Sequence, residues 1–336
     1  MDDNKIFSVI IPVYNGEKTI QRTLASLISS KDYIKEVIIV DDHSTDSTVG
    51  LEEPFGSFFN IEVVTSDGFH NPGMARKTGL LRATGEWVTF VDADDCLTPS
   101  SLRYVKDNLE DNIVLLYCQS IYYESGNFKP EDIEHSDGSC GGNFYKKDYL
   151  IEHGLFPHET LRMSEDEYFN TKIRKYLEYI EESDLTYGYY DYPVYEVHHD
   201  IEDGKSFALS NWADYLVRYH LQSQMYLVKD FIKYDGNEEW LKTDYMNNLI
   251  FAYYLLQGLE SDPDEKRENI KRQYKYFNLA IKYFTFMFKC KKEDIIKYYY
   301  KNTDLHDMYY EGAKGSVGMD FKPVDFKQFI NRVGTG

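Results

Sequence analysis

Basic residues are few in the first two hundred positions of this 336-residue chain, and cysteine and proline are few throughout. Lys and Arg number 37 against 57 Asp and Glu, a net charge of −20. Residues 1–100 carry 16 acids and 8 bases, residues 101–200 carry 21 and 9, and residues 201–336 carry 20 of each. The whole net charge therefore lies before residue 201. Without a basic surplus the chain is no candidate for sequence-independent binding of DNA or RNA, because that affinity comes from Lys and Arg neutralising phosphates. No apolar run reaches about 18 residues, so no segment reads as a membrane span. The four cysteines (Cys96, Cys118, Cys140, Cys290) have neither C-x-x-C spacing nor a paired-histidine pattern, which points to reduced thiols in a cytoplasm. The opening MDDNKIF is acidic and leads into a strand, unlike a secretory signal. Tyrosine, 31 in all, is nearly absent from the first hundred residues, where only Tyr14 and Tyr33 occur.

What is present alternates between two patterns. Phe7 to Pro12, Val37 to Val40, Glu62 to Thr65 and Trp87 to Val91 are short β-branched or aromatic runs, as expected of strands buried on both faces. Between the first two, Ile20, Leu24, Leu27 and Ile28 recur at helical spacing. Strands alternating with helices predict an α/β fold with a mixed, mostly parallel sheet flanked by helices. Ligands of such sheets bind beyond the carboxyl ends of the strands. Tyr14-Asn15, Asp41-Asp42 and Asp92-Ala93-Asp94-Asp95 all stand at those ends. Further on, Thr98-Pro99 reads as the capped start of a helix, Ile113 to Gln119 as a strand, and 121–142 as a hairpin and loop. Ser164-Glu165-Asp166-Glu167 reads as a capping box, and Tyr187 to His199 as a late strand. Beyond about 206 the pattern becomes helical, over 210–234, 237–259, 263–284 and 292–301.

Three clusters could carry chemistry, and each has an ordinary alternative. Asp92-Ala93-Asp94 after an apolar strand brings carboxylates together that repel one another without a cation. A divalent metal bridging a pyrophosphate would resolve this; a solvated helix cap is the alternative. A carboxylate at Asp41-Asp42 can accept a hydrogen bond from a uracil imide or a ribose hydroxyl, while DDHSTDST is also a good turn. Arg76, in NPGMARKTG, could neutralise a phosphate or simply be a solvated helix arginine. Neither G-x-G-x-x-G nor a Walker A sequence follows a strand, which counts against NAD enzymes and P-loop ATPases.

Together FSVIIPVYNGEKTI, VIIVDDHSTDST, GMARKTGLLRATGEWVTFVDADDCLTP and SEDEYFN resemble glycosyltransferase family 2, densely over residues 6–110 and loosely over 140–200. The resemblance implies a GT-A fold and a metal-dependent, inverting transfer from a nucleotide-sugar, a UDP-sugar first among them. By matching position Pro12, Tyr14, Asp41 and Asp42 would hold the nucleoside and Arg76 the diphosphate. Asp92, Ala93 and Asp94 would form the D-x-D, with Mn2+ or Mg2+ on Asp94 and Asp92. Asp166 would be the catalytic base, beside Glu165. His199, or its neighbour His198, would complete the metal shell, although a surface histidine is the commoner fate of either. Lys77 departs from the family, which usually has asparagine there, and EVHHDIEDGKS replaces a basic loop after Tyr195.

The expected organisation is a GT-A catalytic domain over 1–205, with nucleotide-sugar binding in 1–110 and the acceptor and catalytic half in 111–205. A helical domain over 206–336 would follow, serving acceptor binding or assembly, including homo-oligomers. The expected acceptor is a hydroxyl of a glycan, a polyol-phosphate polymer or a glycosylated protein. A non-catalytic nucleotide- or carbohydrate-binding relative and a nucleotidyltransferase are the competing readings. Residues 262–301, with eleven bases, six acids and many aromatics, suit an anionic membrane surface or an ordinary amphipathic helix. A cytoplasmic location is expected, with the inner face of the membrane as its variant. Trp212, Trp240 and Tyr298-Tyr299-Tyr300 are expected to pack helices rather than stack sugars.

Overall fold

A seven-residue run such as FSVIIPV has apolar side chains on both faces and is stable only as an inner strand with helices on either side. In the computed structural model it is β1 (Phe7–Val13), an inner strand of a nine-stranded sheet. The structure describes residues 4–68, 70–124, 127–135, 138–161, 163–199, 217–218, 220–234, 238–261, 267–317 and 320–333. Two units are formed, Met1–Gly204 and Lys205–Gly336.

The first unit contains the sheet. The other strands are β2 (Ile34–Asp41), β3 (Ile61–Thr65), β4 (Trp87–Phe90), β5 (Cys96–Leu97), β6 (Ile113–Glu124), β7 (Asn127–His135), β8 (Phe144–Lys146) and β9 (Thr186–His199). Their order is β3-β2-β1-β4-β8-β6-β9-β5, with β7 paired to β6. β3, β2, β1 and β4 are parallel, so the residues after Val13, Asp41 and Phe90 emerge at one edge of the sheet. β8 then runs antiparallel to β4 and β6, whereas β6 and β9 pair in parallel. One apolar layer, including Ile11, Leu24 and Leu102, covers one face of the sheet. The other, including Ile10, Leu80 and Phe169, covers the opposite face. Alternate residues of β1 feed the two layers, as the two-residue strand period requires.

The helices of this unit are α1 (Ile20–Ser26), α2 (Pro72–Arg82), α3 (Ser101–Asn108), α4 (Lys147–Glu152) and α5 (Glu165–Tyr179). Helix α2 starts at Asn71, whose side chain accepts the Met74 N–H at 2.9 Å, with Pro72 at the first helical position. Two expected caps do not form. The helix after Thr98-Pro99 begins only at Ser101, and the Thr98 hydroxyl instead donates to the Pro193 carbonyl at 2.8 Å. Ser164 precedes α5 with φ +57°, so its hydroxyl makes no capping bond and is buried without a partner.

The second unit is helical in its described residues: α6 (His220–Phe231), α7 (Glu238–Ser261), α8 (Arg267–Met287), α9 (Lys292–Lys301), α10 (His306–Val317) and α11 (Phe326–Val333). Trp240 packs on Phe231 at 5.7 Å between ring centroids, and Tyr299 stacks on Phe326 at 4.0 Å. The Tyr298 hydroxyl donates to Asn247 Oδ1 at 2.7 Å. These aromatics are packing residues, as expected. Trp212, and the predicted boundary near 205, lie outside the described residues. No helix among the described residues is long and apolar enough to cross a membrane.

Candidate active site

The loops leaving β1 and β2 are bound to one another before any ligand arrives. Gly16 N donates to Thr48 Oγ1 at 2.7 Å, Thr45 N to Asn15 Oδ1 at 2.8 Å and Asn15 N to Ser44 Oγ at 2.9 Å. Asp41, at the end of β2, accepts the Ser44 N–H at 3.2 Å, the turn role that ordinary chemistry assigns it. Asp42 differs. It is buried, its N–H meets the Val13 carbonyl at 2.7 Å, and its Oδ2 accepts the Asn71 N–H at 2.7 Å. Its Oδ1 is buried with no hydrogen-bond partner. A carboxylate oxygen kept from water without a donor is costly and marks a place for one. Pro12, near the end of β1, is half-buried, and Tyr14 is exposed with its ring edge-on to His70 at 4.3 Å.

The loop after β4 presents the D-x-D. Ala93 and Asp94 are anchored by their carbonyls, which accept from Thr23 Oγ1 at 2.9 Å and Arg22 Nη2 at 2.6 Å. The Asp94 side chain is left at the exposed lip of the site. Asp92 N donates to the Tyr195 hydroxyl at 2.9 Å. Asp95, buried behind the loop, accepts the His198 N–H at 2.8 Å and is pushed up to about 8, chiefly by burial and then by the charges of Asp92 and Asp94.

Arg76 is the organising cation. Sequence reasoning gave it a choice between solvent and phosphate, and it has neither here. It is buried in α2, with Nη2 2.9 Å from Asp92 and Nη1 3.0 Å from Glu165 and 2.7 Å from Asp166. Burial alone would lower its pKa, but Asp166 and Asp92 outweigh that and raise it further. Glu165 is pushed up to about 7 by burial and by Asp166, against the pull of Arg76. Asp166, the second residue of α5, accepts the Cys140 N–H on Oδ2 at 3.1 Å. Its Oδ1 touches Arg76 outside hydrogen-bond angles and has no hydrogen-bonded partner.

The structure thus brings Asp92, Arg76, Glu165 and Asp166 into one cluster, with Asp42 hydrogen-bonded to the residue that caps Arg76's helix. His198 is not a surface histidine: its ring stacks on Tyr123 at 4.9 Å, and its Nε2 lies 3.4 Å from Glu196 Oε2. The side chain of His199 lies outside the described residues. One participant, Tyr195, had no sequence signal of its own. Tyr195 is read only once the fold places it under Asp92 and against Gly142, where φ is +72° and a Cβ would stand 2.5 Å from the Tyr195 Cβ.

The family model described as glycosyl transferase family 2 matches residues 8–184, more than half of the chain. The chain belongs to that family. Among its glycosyltransferase relatives is the poly(ribitol-phosphate) beta-N-acetylglucosaminyltransferase TarS of Staphylococcus aureus (strain Mu50 / ATCC 700699), 42% identical over 103 residues. That match takes in 29% of this chain and 18% of TarS. The poly(ribitol-phosphate) beta-glucosyltransferase of Bacillus spizizenii (strain ATCC 23059 / NRRL B-14472 / W23) is 34% identical over 114 residues, 31% of this chain and 18% of that protein. The chain therefore spans about a fifth of the length of these relatives. The crystal structure of S. aureus TarS 1–349 superposes with a TM-score of 0.61 at 21% identity, covering 95% of this chain and 94% of that one. The fold is GT-A, as the family resemblance implies, with a helical region after the sheet.

Proposed function

We propose that this chain is an inverting, metal-dependent glycosyltransferase that moves a sugar from a UDP-sugar to a hydroxyl of a polyol-phosphate polymer. One observation carries the reading: the donorless Asp42 Oδ1 lies at the same sheet edge as the Arg76–Asp92–Asp166 cluster. An imide N–H of a uracil is the donor that oxygen lacks, with Tyr14 and Pro12 beside the base and Asp41 shaping the turn. TarS 1–349 has been crystallised with UDP-GlcNAc, and its name and that of the Bacillus relative both specify poly(ribitol-phosphate). These support a UDP-linked hexose or N-acetylhexosamine and an acceptor of that class.

The donor set suits a hard divalent cation. Asp92, Asp94 and Asp95 share one loop, where burial first and then the charges of Asp92 and Asp94 push Asp95 up to about 8, and oxygen ligands are those Mn2+ and Mg2+ prefer. Asp94 and Asp92 would hold it, and when bound it would offset the charge growing on the departing diphosphate. In the displacement, the acceptor oxygen bonds to the anomeric carbon as the bond to the diphosphate oxygen breaks on the opposite face. Asp166 accepts the hydroxyl proton on its carboxylate, which Arg76 holds at 2.7 Å. Glu165 holds Arg76, and Arg76 in turn holds Asp166 in place.

The test is UDP release from UDP-GlcNAc and UDP-glucose with poly(ribitol phosphate) and Mn2+. Turnover is expected with the polymer, and Asp166→Asn should lower kcat by roughly 100-fold or more while UDP binds within about threefold of the parent. Absence of turnover with both donors on this acceptor class, or an unaffected Asp166→Asn, overturns the reading.

A further inference from the structure

Two positions past the D-x-D, the chain places a different set of ligands. β5 is only Cys96–Leu97 and pairs antiparallel with β9, where Cys96 is opposite Glu196. Glu196 and His198 are two residues apart on the same strand, so their side chains leave the same face. The cross-strand pairing brings Cys96 to that pair. The thiol sulfur, a Glu196 carboxylate oxygen and a His198 ring nitrogen all lie within 4.8 Å of one another. Among the described residues this is the cluster of histidine, cysteine and carboxylate ligands that meets that spacing.

The cluster is built rather than incidental. Cys96 is buried, so its sulfur is held by the sheet and not by a free rotamer. The His198 ring is stacked on Tyr123 with an interplanar angle of 4°, and the His198 backbone N–H donates to Asp95 Oδ1. The side chains of Glu196 and His198 keep 22% and 16% exposure, which leaves a path for an ion. In ligand chemistry the set is unlike the D-x-D. One sulfur, one imidazole and one carboxylate select borderline-soft ions such as Zn2+, whereas Mg2+ and Mn2+ prefer all-oxygen sites. Three protein ligands leave the fourth tetrahedral position to water or an exogenous ligand.

We infer that Cys96, Glu196 and His198 form a second metal site, for Zn2+ or a similarly thiophilic divalent cation, separate from the carboxylates of Asp92 and Asp94. An ion there ties β5 to β9 immediately behind the D-x-D loop. The inference stands on the cross-strand geometry and does not depend on the transferase reading.

Cobalt(II) titration of the full chain, without nucleotide or manganese, tests it directly. The expected result is one equivalent of Co2+ giving a thiolate-to-cobalt charge-transfer band with tetrahedral d–d absorption, displaced by Zn2+ and retained in excess Mg2+. Cys96→Ser should abolish the charge-transfer band, and His198→Gln should weaken cobalt binding at least about tenfold. Cys290→Ser and Asp94→Asn should keep the band. No charge-transfer band at saturating cobalt, a band that survives Cys96→Ser, or unchanged affinity in His198→Gln overturns the site. Circular dichroism confirms folding of each variant, and His198→Gln decides the matter if Cys96→Ser does not fold.

Discussion

Asp42 uses one carboxylate oxygen for the protein and leaves the other buried without a donor. Asp42→Asn keeps an acceptor for the Asn71 N–H but turns the second atom into a donor that cannot receive an imide proton. UDP affinity should fall about tenfold or more, as expected for a hydrogen bond to a charged acceptor, and isothermal calorimetry would read it. Glu165 supplies a second prediction at this scale. Its carboxyl is raised from 4.5 to about 7, so between those values the folded chain binds more protons than the unfolded one. Stability must then decline as pH rises through that window and level off above it. In Glu165→Gln this contribution to the decline should vanish, so urea midpoints at the two ends of the window should lie closer together than in the parent. The sequence made the acids of this site legible, because Asp92 and Asp166 each stand where a strand or helix boundary exposes a charge. It could not show that Arg76 binds both. Glu165 is 89 positions from Arg76, and no local pattern encodes a contact of that range.

At the scale of elements, buried strands were the readable part. FSVIIP, VIIV and WVTF are β-branched and aromatic runs too short for helices, and each became a central strand within a residue or a few of its expected ends. Helix starts were less readable. Ser100 and Ser164 have capping chemistry, yet both adopt positive φ, 62° and 57°, and neither makes a side-chain cap bond. Short pieces were missed altogether: β5, β8 and α4 have two, three and six residues, below the length at which periodicity can be seen. The α2–sheet contact depends on one absent side chain. A Cβ on Gly79 would stand 2.4 Å from Ile10 Cγ2 and 3.1 Å from Val40 Cγ2, so α2 could not lie this close to β1 and β2 with any other residue. Gly79→Ala is expected to cost about 1–3 kcal/mol by overpacking, despite alanine's better helix propensity. Chemical denaturation would show it, and because α2 carries Arg76, UDP release should fall with it.

Over the whole molecule, the uneven charge takes on a definite form. The acidic first two hundred residues include Asp92 and Asp166, 74 positions apart in sequence, yet both rest on one buried guanidinium. A single cation serving both, with Glu165 beside them, is a shared resource, so the energies of the two ends cannot be independent. Removing either charge strengthens the hold of Arg76 on the other. In a double-mutant cycle over Asp92→Asn and Asp166→Asn, the combined change in stability should differ from the sum of the single changes by about 0.5–3 kcal/mol. A cycle that closes to zero would show the fork to be two separate ion pairs. The same arithmetic extends to ligands: whatever draws Asp92 away from Arg76 changes the field at Asp166. On the proposed transferase reading, donor occupancy and the readiness of the base are then two readings of one equilibrium, linked reciprocally.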